Sequence, residues 1–148
     1  SHPVEQAHRL TMQRLGAKIE EETVEPLIRS GNHTRTEKPW GYELLIALND
    51  RYALKEIGLN EGQRTSLQSH DHKTESIYLL EGRAGLELES DNGSLEQLIV
   101  EPGDSYTVVA NRKHRVTALT DIRFVEVSTP ELDDIRRYED DYGRGGTE

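Results

Sequence analysis

The run Gly62-Gln-Arg-Thr-Ser-Leu-Gln68-Ser-His70-Asp-His72-Lys-Thr-Glu75 gathers groups able to hold a metal ion inside a chain that otherwise alternates polar and apolar residues. Gln68 and His70 lie two apart, which puts them on one face of an extended strand. Glu75 follows a tight turn over 71–73, so the next strand can return antiparallel and bring a carboxylate beside the imidazole and the amide. His114 opens a later strand after the Asn111-Arg112-Lys113 turn, and that strand can lie across from the first pair. Two imidazoles, one carboxylate and one amide oxygen make a hard-to-borderline donor set with positions left for water or substrate. Such a set suits one divalent ion: zinc, manganese, iron, cobalt or nickel. There is no cysteine, so neither a thiolate site nor a disulfide is available. His72 shares the parity of His70 and is the alternative to Gln68 as ligand, whereas a turn starting at Asp71 would throw it outward. The competing reading, solvated loop polars, is outweighed because three of the four donors fall within residues 68–75.

Two arginines near the C-terminus, Arg137 and Arg144, are candidate clamps for a phosphate or carboxylate, since a guanidinium matches either with a rigid fork. The alternative for Arg137 is a surface ion pair with Glu139 or Asp140. For a general base, His72 and Lys55 are the options within reach of the motif.

These residues need a β framework, and the sequence supplies its periodicity. From Trp40 to Ser128 apolar residues recur every second position, as in Trp40, Tyr42, Leu44 and Ile46, or Leu86 and Leu88 against Glu87 and Glu89. Asn92-Gly93 is a two-residue hairpin signal, and Pro102-Gly103 and Asp121 mark further turns. About eight short strands with no helical crossovers predict an all-β sandwich or barrel, and the metal reading favours a small barrel with the ion in its mouth. Acid-first, base-later order after Pro130, from Glu131, Asp133 and Asp134 to Arg136 and Arg137, predicts a short C-terminal helix ending near Gly143. Residues 1–36 differ. Val4 to Leu15 fits a short amphipathic helix, and Leu10, Leu15, Leu27 and Ile28 have no obvious home in the body at 37–148. The stretch is read as an arm packing on the body or on a partner in a homodimer; the alternative is a partly disordered leader.

The 148 residues fit one domain. A net charge of -10 disfavours a nucleic-acid partner, because phosphate-backbone binding needs a basic footprint. It does not exclude a small anionic substrate, which responds to local arginine and lysine. No apolar run reaches membrane-spanning length, no signal-peptide core is visible, and Ser1-His2 reads as an expression scar; a soluble cytoplasmic protein is expected.

The stretch from Gly62 to Gly82 resembles the first conserved cupin motif, a glycine, five residues, His, one residue, His, a few residues, Glu, six residues and Gly, with Gln68 in place of the first histidine. Pro102-Gly103-Asp104 through His114 resembles the second motif, with Val109 and Asn111 where an internal proline and glycine are usual. Ser66-Leu67-Gln68-x-His70 with Glu75 and Gly82 narrows the likeness to the isomerase domain of bifunctional, type II mannose-6-phosphate isomerases. Lys38-Pro-Trp-Gly-Tyr-Glu43, Lys55, Arg123-Phe-Val-Glu-Val, and Asp134 through Tyr142-Gly143-Arg144 extend it over most of the chain. The resemblance implies a double-stranded β-helix (jelly-roll, cupin) barrel with Gln68, His70, Glu75 and His114 on the metal, and Lys55 pointing inward, where it can orient a substrate oxygen or donate a proton; pointing outward it would be one more solvated lysine. It implies interconversion of an aldose and a ketose phosphate through a metal-stabilised enediolate. The nucleotidyltransferase half of those enzymes has no counterpart in this sequence, so guanylyl transfer is not expected. Three functions compete at this stage: a sugar-phosphate isomerase, another metal-dependent cupin enzyme (epimerase, lyase or decarboxylase) on a small polar acid or sugar, and a non-catalytic sugar-binding cupin.

Overall fold

A computed structural model of the chain describes residues 33–144 and, for the backbone, 146–147. The arm expected at 1–36, with its amphipathic pattern and its part in a dimer, lies outside the described residues except at its end. There Thr34–Lys38 forms the first strand, β1.

The strands, numbered in chain order, make two antiparallel sheets of six. The first runs in the order β1, β2 (Gly41–Leu48), β3 (Ala53–Leu59), β10 (Ile122–Ser128), β5 (Glu75–Glu81), β8 (Ser105–Val108). The second runs β12 (Gly146–Thr147), β11 (Arg136–Glu139), β4 (Leu67–Ser69), β9 (His114–Ala118), β6 (Ala84–Glu89), β7 (Leu95–Val100). Alternation decides which side chains face inward. Ile57, Leu59, Ile77, Leu79, Ile122 and Phe124 of the first sheet pack against Ala84, Leu86, Val100, Val116 and Ala118 of the second, with Trp40 at one end.

Two expectations are overturned. Among the described residues the sheets are not closed into a barrel: each ends in edge strands, β1 and β8 in one, β12 and β7 in the other. No described residue is helical, and the expected C-terminal helix is replaced by turns and by β11, which pairs with β4. The charged groups that suggested a helix have tertiary partners instead. Asp134 caps the 71–73 turn, Arg136 pairs with Asp71, and Glu139 receives Arg115. A short helix held by local pairs worth a few tenths of a kcal/mol each does not compete with a strand ladder. No helix among the described residues is long and apolar enough to cross a membrane.

On the outer face, β2 and β3 meet in an unusually close contact. Tyr42 stands opposite Gly58, and a Cβ at Gly58 would lie 2.2 Å from its ring. The ring is fixed by a hydrogen bond from its hydroxyl to Glu56 (2.9 Å) and by the Arg35 guanidinium 4.1 Å from its centroid.

Candidate metal centre

His70 immediately follows β4, Glu75 begins β5 and His114 begins β9, so three strand ends deliver three donors to one point. All three residues are buried. Glu75 Oε1 lies 2.9 Å from His114 Nε2 and 3.4 Å from His70 Nε2, and all three donor atoms fall within 4.8 Å of one another. Donors held about 2.1 Å from a common ion are separated by about 3.0 to 3.4 Å across an octahedral or tetrahedral edge, so the two carboxylate–imidazole gaps fit.

The outer hydrogen bonds fix which ring nitrogens face inward. His70 Nδ1 contacts the Asp134 carbonyl (2.6 Å) and His114 Nδ1 the Arg112 carbonyl (2.9 Å). A carbonyl only accepts, so both Nδ1 atoms carry the proton, and each ring in its neutral form presents its Nε2 lone pair inward. Among the described residues those buried Nε2 atoms have no hydrogen-bond partner. Two lone pairs and a carboxylate oxygen converging in a buried space call for a cation, and the site is suited to a single divalent ion.

The turns that set this geometry have local causes. Asn111 takes φ +67°, the left-handed conformation that asparagine tolerates, so it serves where the related motif uses glycine; its N–H donates to the His70 carbonyl (2.7 Å). The 71–73 turn is held by Asp134, whose carboxylate accepts the backbone N–H groups of Asp71, His72 and Lys73 at 2.9, 2.7 and 2.9 Å. Partial burial pushes that carboxyl up, but the three donors outweigh it and hold it at about 2.

The donors line a pocket of about 220 Å³ between the sheets. Gln68 lines it too, directly opposite His114 in register, with its amide oxygen accepting from Ser66 (2.8 Å). Arg137 is the register partner of Gln68 on its other side, so Arg137, Gln68 and His114 form a row across the second sheet. Lys55 is buried and inward-facing, with Nζ 2.9 Å from Glu43. Arg144 also lines the pocket while paired with Asp140 (3.0 Å). His72 is exposed on the 71–73 turn and is not among the lining residues.

Sequence reasoning missed two buried charges. Lys73 places Nζ 3.6 Å from Glu75 Oε2 and 4.0 Å from Glu126 Oε1. Glu126 is the cross-strand partner of Lys55. Acidic and basic side chains thus alternate along this wall as far as the donor Glu75: Glu43, Lys55, Glu126, Lys73, Glu75. Burial and the neighbouring Glu75 push the Glu126 carboxyl up to about 8, against the pull of Lys73 and Lys55. Burial also raises Glu75, but in metal-free protein hydrogen bonds from His114 and His70, made when those rings carry the Nε2 proton, and the Lys73 charge prevail and hold it well below the usual carboxylate range. Glu126 carried a readable signal, a charge at an inward position after Ile122 and Phe124; Lys73, in a turn, had none.

Comparison with known proteins assigns the chain to a family. Residues 28–140 match the family described as mannose-6-phosphate isomerase C-terminal. The chain is 30% identical over 120 residues to the alginate biosynthesis protein AlgA of Pseudomonas putida, which covers 78% of this chain and 24% of that protein. It is 30% identical over 115 residues to mannose-1-phosphate guanylyltransferase of Escherichia coli, covering 76% and 23%. It thus spans about a quarter of the length of these curated relatives. Among solved structures, KdgF from Halomonas sp. aligns with TM-score 0.61 at 19% identity over 70% of this chain and 93% of its own. Oxalate decarboxylase from Bacillus subtilis aligns with TM-score 0.65 at 17% identity over 72% and 30%. The structural likenesses speak for fold alone, whereas the sequence match identifies this chain as a member of the mannose-6-phosphate isomerase C-terminal family, in the cupin class.

Proposed function

We propose that the protein is a metal-dependent cupin enzyme that moves a proton on a small anionic sugar or acid held in the pocket between the sheets. The observation that carries this is the pair of inward Nε2 lone pairs facing Glu75 within a pocket lined by Lys55, Lys73, Arg137 and Arg144. A divalent ion bound there supplies electrostatic stabilisation to negative charge developing on substrate oxygens. His70, Glu75 and His114 would hold it, with Gln68 adding a neutral oxygen. With only one formal anion among the donors, the site keeps net positive charge. Arg137 and Arg144 would bind the substrate's phosphate or carboxylate, and the pocket's modest volume selects a small molecule. Lys55 and Lys73 stand where a substrate oxygen or proton could be met.

Within this class, aldose–ketose isomerisation of a sugar phosphate is the specific reading, supported by membership of the isomerase C-terminal family. Epimerase, lyase and decarboxylase chemistry on a small acid or sugar would be served by the same stabilisation of negative charge on substrate oxygens. Mannose 6-phosphate added with zinc, manganese or cobalt in deuterated water, followed by proton NMR, separates them. An isomerase yields fructose 6-phosphate with deuterium at the exchanging carbon, and Glu75→Ala abolishes it. No exchange with any of these metals removes the isomerase reading, and a screen of hydroxy acids and other phosphorylated sugars then tests the remainder of the class. Failure to take up any divalent ion would sink the class itself.

A further inference from the structure

The contacts of Asp134 point in two directions. Its carbonyl accepts the His70 Nδ1–H at 2.6 Å, and its carboxylate accepts three consecutive backbone N–H groups from the turn that follows His70. The same residue lies within the 130–137 segment, whose Leu132, Ile135 and Arg137 line the pocket. We infer that Asp134 is a positioning residue: it clamps this segment onto the 71–73 turn and so holds its own carbonyl against His70, fixing both the tautomer of the metal ligand and the placement of the pocket wall that carries Arg137. Resting on the metal reading above, this makes one side chain the joint between the ion site and the substrate-facing segment.

The geometry distinguishes a clamp from a simple turn cap. Capping alone would need only the carboxylate. Here the main-chain oxygen of the capping residue is itself the acceptor for a buried imidazole. Removing the carboxylate leaves the carbonyl chemically intact but frees the segment that presents it. Nearby Arg136 offers a matched control. It pairs with Asp71 (2.6 Å) between the same segment and the same turn, is exposed, and is not among the residues lining the pocket.

Two readouts on the full chain test the inference. In metal-free protein, long-range nitrogen–proton NMR correlations of the histidine rings report the tautomer. His70 should be the Nδ1–H form in the wild type and a mixture in Asp134→Ala. In a cobalt(II) titration followed by visible absorption, Asp134→Ala should lose about 10- to 100-fold in affinity, the range typical of lost outer partners of a metal-bound imidazole. Asp134→Asn, which keeps one acceptor oxygen, should fall between, and Arg136→Ala should stay within about twofold of wild type. If Asp134→Ala does not fold, Asp134→Asn decides on the same two measurements. An unchanged His70 tautomer together with cobalt affinity within about twofold of wild type would overturn the inference while leaving the metal reading intact. A wild type that takes up no cobalt would count against the metal reading instead, and the tautomer comparison on metal-free protein would still decide the role of Asp134.

Discussion

Four strands run the length of the space between the sheets, and each changes character on the way. Inward positions read Lys55, Ile57, Leu59 on β3; Glu75, Ile77, Leu79 on β5; His114, Val116, Ala118 on β9; and Ser128, Glu126, Phe124, Ile122 on β10. Register aligns the changes: Lys55 faces Glu126, Ile57 faces Phe124 and Leu59 faces Ile122. One end of the interior is therefore dry and apolar, the other buried and charged, although both are made by the same strands with the same period. The apolar end gains free energy from burial, roughly 1.5–3 kcal/mol for each large side chain. The charged end loses solvation and recovers it only through its partners. The lesson is a division of labour: the fold is stabilised at one end so that an unfavourable cluster can be held at the other.

Four measurements break or sharpen that contrast. Leu79→Ala, at the apolar end, should cost about 2–5 kcal/mol in urea unfolding while leaving cobalt affinity of the folded protein unchanged. His70→Ala should do the reverse, lowering metal affinity more than about 100-fold, a loss of about 2.7 kcal/mol in binding, with a smaller effect on the metal-free protein. An equal loss of folding stability in the metal-free variant would erase the distinction between the ends. Burial holds the Glu126 carboxyl largely neutral at pH 7, and Glu126→Gln keeps its shape, so stability of the metal-free protein should hold within about 1 kcal/mol there and gain most above pH 8, where the native carboxyl ionises; a large loss at pH 7 would mean this carboxyl supports the fold. The smallest effect concerns Asp140, which the Arg144 guanidinium holds below its usual pKa of 3.8 against the opposing effect of burial. The folded-state value is depressed, so the stabilisation is present above pH 3.8 and is lost as pH falls through the folded-state value. Asp140→Asn should flatten the acid limb of the stability–pH curve; an unchanged limb would detach Asp140 from acid unfolding.

The sequence announced much of this through alternation and spacing. The polar donors from Gln68 to Glu75 and the distant His114 stood out because they interrupt or begin apolar-alternating strands. The strands themselves were visible from Trp40 to Ser128, where one face is buried. Legibility ended where tertiary contacts outvote local pattern. Glu131 to Arg137 has the charge order of a helix, yet Asp134 and Arg136 are committed to the 71–73 turn. β4, with three residues, is too short to show a period. Whether the sheets close on themselves depends on edge pairing, which alternation does not encode. Lys73 lay beyond reach because burial of a turn residue depends on what folds over it.

The contact between Tyr42 and Gly58 constrains the order in which this protein can change. An alanine at Gly58 would collide with a ring that Glu56 and Arg35 hold in place, so the substitution is harmful on the present background. After Tyr42 has become a smaller residue, the three nearest obstacles to that alanine are gone, and it gains the lower unfolded-state entropy that favours alanine over glycine. The cost of one substitution is thus set by another, and descendants of this sequence avoid the collision at residue 58 when the change at residue 42 comes first.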